Sequence, residues 1–404
     1  IDPQGSKEFT VPVNGLKAKP GIEYFINFSV TTVEPEPLIP AGHEIAYEQF
    51  RLPIEPLARP AYATNGPTLK VQTESKNLTA TSSKVNFVFN KETGLVTSYQ
   101  VNGTEYFNDG FGIQPNFWRA PNDNDYGNGE PKRLQIWKQS SKNFNVADAD
   151  IVMDDNTAIL TVNYLLAAGN LYIVTYKIYP SGVVKVNARF TSTDMQATET
   201  EVSEATRMAT FTPGNDEARK AAAKLNVPRI RVRFRLPAEM NKVEYFGRGP
   251  EENYIDRNAG TLIGLYKTTA DKMYYNYVRP QENGHHTDTR WLSISKKNGK
   301  GLTIMADSII GFNALRNSIE DFDSEEALPH PRQWNNFSPE EIANHDEEAA
   351  RNVLRRMHHV NDITPRNFVE VCIDMKQQGV AGYDSWGDRP LPEHTLPANK
   401  EYHW

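Results

Sequence analysis

Four consecutive amide and carboxylate side chains, Asn122, Asp123, Asn124 and Asp125, stand between the run Phe117-Trp-Arg119 and the pair Tyr126-Gly127. Such side chains bond their own backbone and hold irregular conformations. The run therefore predicts a shaped loop after a buried strand, continuing into Asn128-Gly-Glu-Pro131. Short polar groups beside aromatic faces also suit sugars, which present C–H surfaces and hydroxyls together. A turn that only reverses the chain is the plainer alternative.

Three further stretches concentrate chemistry in the same way: Tyr245-Phe-Gly-Arg-Gly-Pro-Glu-Glu-Asn-Tyr-Ile-Asp-Arg257, Tyr277-Val-Arg-Pro-Gln-Glu-Asn-Gly284 and Gly382-Tyr-Asp-Ser-Trp-Gly387. Their carboxylates (Glu251, Glu252, Asp256, Glu282, Asp384) alternate with Arg248, Arg257 and Arg279, as Asp123 and Asp125 do with Arg119. Such mixtures in Gly/Pro-rich turns form structural networks of bidentate pairs. Gly247, Gly249 and Pro250 read as a tight turn, not a phosphate loop, because no strand–loop–helix context surrounds them. His285 and His286 follow Glu282 closely, and an imidazole titrating near neutrality suits acid/base work. Neighbours on a strand face opposite ways, so only one could serve a site, and a surface or hydrogen-bonding role is the plainer reading. His358-His359 lacks metal-ligand spacing. Trp386 follows the glycine-containing loop Gly379–Ser385, which can set its indole at a cleft; a sugar-stacking face competes there with burial in a core.

The chain must be large enough to position these groups. At 404 residues it suits two or three domains, and 38% hydrophobic with 10% aromatic residues can fill a sizeable core. A net charge of −7 without a basic stripe argues against nucleic acid or an anionic membrane as partner. No apolar run approaches a membrane span. The single cysteine, Cys372, excludes an internal disulfide and any cysteine-built metal site; in alternating Phe368–Asp374 it reads as a buried thiol.

Residues 1–54 read as short strands, Glu8–Val13, Ile22–Val30 and Glu44–Leu52, with Pro35, Pro37 and Pro40 keeping the intervening loop out of a ladder. Residues 55–68, carrying Pro56, Pro60 and Pro67, read as a linker. Within 69–404, hairpins are predicted for Val85–Asn90 with Leu95–Tyr99, and for Leu171–Tyr179 with Val183–Phe190. Ile230–Leu236 alternates, placing Arg231, Arg233 and Arg235 on one face, expected to be solvated. Many strands joined by short turns predict a large antiparallel sandwich. Helix is scarce: Ser338-Pro-Glu-Glu341 carries a capping box, and Glu347–Met357 has helical spacing.

Taken in order, the four motif stretches resemble the C-terminal region of the large bacterial β-galactosidases of glycoside hydrolase family 2. The resemblance implies an all-β fold: a galactose mutarotase-like supersandwich over 69–404, preceded by the second half of an immunoglobulin-like domain at 1–54. It also implies that the catalytic glutamates, and the magnesium and sodium ligands, belong to a barrel and other domains upstream of Ile1. On that expectation this chain has no catalytic residue or metal of its own and meets the galactoside only within the intact enzyme. It would be a piece of a soluble bacterial protein, cytoplasmic or periplasmic, and a homo-oligomer is compatible. Trp386 is then the aromatic platform of the aglycone region, Asp384 stands beside it, and Gly127 and Asn128 begin a rim loop that shifts with ligand. Where the family commonly shows two acids before Ser-Trp, this chain has Tyr383 and Asp384. Leu396–Trp404 reads as the approach to a final strand. Two other readings remain, a free-standing carbohydrate-binding module and a mutarotase-like epimerase using a histidine with a glutamate such as Glu282.

Overall fold

The computed structural model describes residues 4–13, 15–54, 62–167, 169–191, 226–323, 359–384 and 387–404. The chain divides into two compact units, residues 1–63 and 64–404. The helical expectations at 338–341 and 347–357 lie outside the described residues, as do His358 and residues 55–61 of the expected linker.

In the first unit, β1 (Phe25–Thr31) and β2 (Glu44–Arg51) form an antiparallel pair, with Phe28 facing Glu48 and Ile26 facing Phe50. Glu8–Val13, expected as a strand, is not part of any strand, and Pro12 removes one of the donors a ladder would need. Phe28, Val30, Ile45, Tyr47 and Phe50 are all exposed. Two strands with this many bare apolar side chains cannot bury a core between them.

The second unit is built of antiparallel sheets, as the alternation predicted. β3 (Lys70–Thr73), β4 (Asn77–Thr81), β5 (Val85–Asn90), β6 (Leu95–Val101) and β7 (Thr104–Glu105) form a meander. After β8 (Gln114–Asn116) come three short helices, α1 (Asp123–Gly127), α2 (Glu130–Arg133) and α3 (Gln135–Lys142). A second sheet holds β9 (Asn145–Asp154), β10 (Thr157–Leu165), β11 (Leu171–Ile178) and β12 (Val184–Phe190). A seven-stranded sheet joins β8 to β13 (Arg229–Pro237), β14 (Lys242–Gly249), β15 (Leu262–Thr269), β16 (His286–Ser295), β17 (Gly301–Leu315) and β18 (Phe368–Gln377), in the order β15-β14-β16-β17-β18-β13-β8. The short helices α4 (Ala270–Met273) and α5 (Ile319–Phe322) cap its connections. Leu396–Trp404 does not merely approach a strand: β19 (Tyr402–His403) pairs with β12.

Alternation decides which residues enter the core. Leu160, Val162 and Tyr164 of β10 and Tyr172, Val174 and Tyr176 of β11 are buried, and the sheets meet through Phe87–Tyr176 (5.7 Å) and Phe117–Tyr172 (5.1 Å). The large sheet departs from one expectation. Arg231 and Arg233 are buried, not solvated, and Arg229 is buried with them. Arg229 forks onto Asp374 and Glu282; Arg233 reaches Glu320 and Glu370; Arg235 reaches Glu370. Arg231 donates to Asn116 Oδ1 at 2.6 Å. Burying arginines is costly unless their charge is matched, and for Arg229, Arg233 and Arg235 the acids arrive from β18, α5 and the segment before β16.

Candidate functional site

The polar run after β8 is helical where the sequence suggested a loop. Asn122 accepts the Asp125 N–H through Oδ1 at 2.8 Å, and Asp125 Oδ2 accepts the Asn122 N–H at 3.0 Å, a reciprocal cap that starts α1. Phe117 and Trp118 do not offer faces to a sugar. Phe117 is in the core, and the buried Trp118 indole donates to Asp323 at 2.7 Å.

Behind α1, Arg119 sets the geometry. Its Nε and Nη2 grip Asp125 at 3.1 and 2.8 Å, while Nη1 donates to the Gln378 and Gly379 carbonyls, both at 3.0 Å. Asn122 and Asn124 each donate to the Val380 carbonyl at 3.3 Å. The opening stretch therefore holds the loop that follows β18. The stretch 245–257 joins at the same loop, and 277–284 braces it against α1. Asp256 accepts the Val380 and Ala381 N–H groups at 3.0 and 2.8 Å. Glu252 accepts the Gly284 N–H at 2.7 Å and the Tyr277 hydroxyl. Arg279 lies 3.7 Å over the Tyr126 ring and pairs with Asp123 at 3.5 Å, and Gln281 donates to Asp123 at 3.0 Å. Gly247, expected in a turn, is instead inside β14, where Thr289 leaves no room for a Cβ.

The expected rim residues fall at this junction. Gly127 is exposed at the end of α1; Asn128 is half-buried and accepts from Arg133 at 3.0 Å. Gly387 adopts φ +102° directly against the Gly127–Asn128 peptide, where any Cβ would collide. Asp384 is exposed and accepts the Asp388 N–H at 3.2 Å; Tyr383 beside it is 53% exposed. Trp386 and Ser385 lie outside the described residues.

Sequence reasoning overlooked two members of this junction, Glu130 and Gln378. Both are buried, and Gln378 Nε2 donates to both Glu130 carboxylate oxygens at 2.8 and 2.9 Å. They stand 248 residues apart, so no local pattern could have paired them. Burial first, then repulsion from Asp125, lifts the Glu130 carboxyl to about 8, with Arg119 and Gln378 opposing. A carboxyl raised on folding stabilises the fold below its unfolded value and loses that contribution as pH climbs through its folded one. Relative to Glu130→Gln, the wild-type chain is expected to lose stability, on the order of 2 kcal/mol, between pH 6 and 9. Paired thermal melts check this; an equal difference at both pH values would contradict it.

His285 and His286 are buried and engaged. His285 stacks on Tyr254 and sits 3.6 Å from Asp374 and 3.5 Å from Arg229; burial, then Arg229, depresses its pKa well below the usual value. His286 lies between the Gly284 and Pro250 carbonyls at 3.1 and 3.2 Å, and burial lowers its pKa too. Glu282 spends its charge on Arg229. His285, His286 and Glu282 are thus all engaged within the fold, which disfavours the epimerase reading built on them. Cys372 is buried and its thiol is pushed up to about 12 by burial. Among the described residues, no three His, Cys, Asp or Glu side chains converge on a metal-sized point. No helix is long and apolar enough to cross a membrane among the described residues.

A family model described as "Beta galactosidase small chain" matches residues 81–404, and one described as "Beta-galactosidase, domain 4" matches residues 1–53. A β-galactosidase of Priestia megaterium is 28% identical over 405 aligned residues, which cover all of this chain and 33% of that protein. A β-galactosidase of Streptococcus thermophilus is 26% identical over the same length and shares. The chain thus spans about a third of the length of these curated relatives. Among solved structures, a galactose mutarotase related enzyme from Lactobacillus acidophilus aligns with 81% of this chain and 94% of its own, at 10% identity and a TM-score of 0.37.

Proposed function

The chain belongs to the β-galactosidase small-chain family, and on that premise we propose that it works as the C-terminal part of an enzyme hydrolysing terminal β-D-galactosides. The cleavage proceeds with retention, through two carboxylates about 5 Å apart, one nucleophile and one acid/base. Those carboxylates, and any magnesium or sodium, belong to the part of the enzyme outside the third spanned here. This chain's task is to shape the rim of the galactoside site. One observation carries the reading: two of the four motif stretches lock onto the loop that leads into the last of them, and the remaining one, at 277–284, ties those two together. Arg119, Asn122 and Asn124 hold it from one side and Asp256 from the other.

Trp386 follows that loop and supplies an aromatic face for the aglycone or an acceptor sugar; Asp384, Gly127 and Asn128 line the adjoining rim. Stacking on one indole contributes about 1 kcal/mol beyond burial. By itself that leaves affinity weaker than millimolar, so a free-standing carbohydrate-binding role is the weaker reading. In the full-length enzyme, Trp386→Ala is expected to raise KM for an aryl β-galactoside and to lower transfer to added acceptors by about fivefold or more. The melting temperature should stay near the parent's. Unchanged kinetics, or a melting loss that accounts for all the lost activity, would contradict the platform.

A further inference from the structure

We propose that Asp256 is a positioning residue that fixes the rim loop after β18, setting where its downstream residues meet substrate. The proposal rests on the rim assignment above but adds a residue and a mechanism to it. Asp256 is presented rigidly: Tyr254 and Arg257 exchange backbone hydrogen bonds at 3.1 and 2.8 Å, leaving Ile255 and Asp256 at the tip of a two-residue turn. From that tip, Oδ1 and Oδ2 take the successive N–H groups of Val380 and Ala381. Consecutive N–H groups converging on one carboxylate form an anion-binding concavity, and here the Asp256 carboxylate occupies it.

Two features show that the loop is shaped around this carboxylate. Ala381 sits at φ +56°, a left-handed conformation that costs a residue with a side chain about 1 kcal/mol and persists only where its surroundings impose it. Gly379 leaves no space for a Cβ, because one would collide with Asp256 Oδ2. The carbonyls of the same peptides are already taken by Arg119, Asn122 and Asn124. Asp256 is thus the only side chain among those described that is bonded to the Val380 and Ala381 N–H groups, and these two donors depend on it, while the Gln378 and Gly379 N–H groups donate to the Pro228 and His394 carbonyls.

The test uses amide exchange in the 404-residue chain and kinetics in the full-length enzyme. In Asp256→Ala, exchange at Val380 and Ala381 should accelerate by about tenfold or more, with β10, β11 and β18 unchanged. Asp256→Asn keeps one acceptor, should fall between parent and alanine variant, and serves if the alanine variant does not fold. In the enzyme, KM for an aryl β-galactoside should rise by about fivefold in the same order, with kcat less affected. Unaltered exchange at both amides would overturn the positioning role. Accelerated exchange with unaltered kinetics would leave the contact standing and overturn the rim assignment beneath it.

Discussion

Arg229→Met is expected to destabilise the second unit by about 3–5 kcal/mol, enough to unfold a domain of ordinary stability. The guanidinium donates to Asp374 at 2.7 Å through both Nε and Nη2, and to Glu282 at 2.9 Å through Nη1; all three side chains are buried. Methionine fills much of the volume but abandons two carboxylates away from water, and the cost is theirs. The loss should shrink in mild acid. His285, held neutral by burial and by Arg229, lies beside Asp374 and gains reason to take a proton once the guanidinium is gone. Denaturation midpoints of parent and variant at pH 7 and pH 5.5 measure both effects. A loss below about 1 kcal/mol at pH 7 would mean that the network is solvated, contrary to its geometry.

That same network marks how far the sequence could be read. Alternation in Ile230–Leu236 identified a strand, which the structure extends to Arg229–Pro237. It could not say that the arginine face was covered, because Glu282, Glu320, Glu370 and Asp374 come from 53 to 145 residues away. Hairpins were legible almost to the residue, as in β5 with β6 and β11 with β12, since their turns and alternation are local. α1 was misread for an instructive reason. Asn and Asp favour both turns and helix starts, and only the spacing of Asn122 and Asp125 separates the two. α3 also had a signal, with Trp137, Ser140 and Ser141 buried on one face at helical spacing. The junction was legible only in its parts: each motif stood out by composition, whereas the grip of Arg119, Asn122, Asn124 and Asp256 on Gln378–Ala381 needed the fold.

The second large effect concerns activity. Four of the seven acids in the motif stretches are bound up in the structure, and Asp123, Glu251 and Asp384 are exposed. Asp125 is gripped by Arg119, Glu252 by Gly284 and Tyr277, Asp256 by Val380 and Ala381, and Glu282 by Arg229. A nucleophile and an acid must instead face the same bond from a shared cleft. The relatives that carry the activity in their names are about three times as long as this chain. With four of those acids so engaged, the acceleration of at least about a million-fold that enzymes supply is expected to be missing from this chain. The direct measurement is hydrolysis of an aryl β-galactoside by the purified 404-residue chain beside the full-length enzyme at equal molarity. The expected result is turnover in the full-length enzyme and none above buffer in the chain. Saturable turnover by the chain, surviving removal of every trace of host enzyme and lost on Asp384→Asn or Asp123→Asn, would contradict the account and place the catalytic carboxylates here.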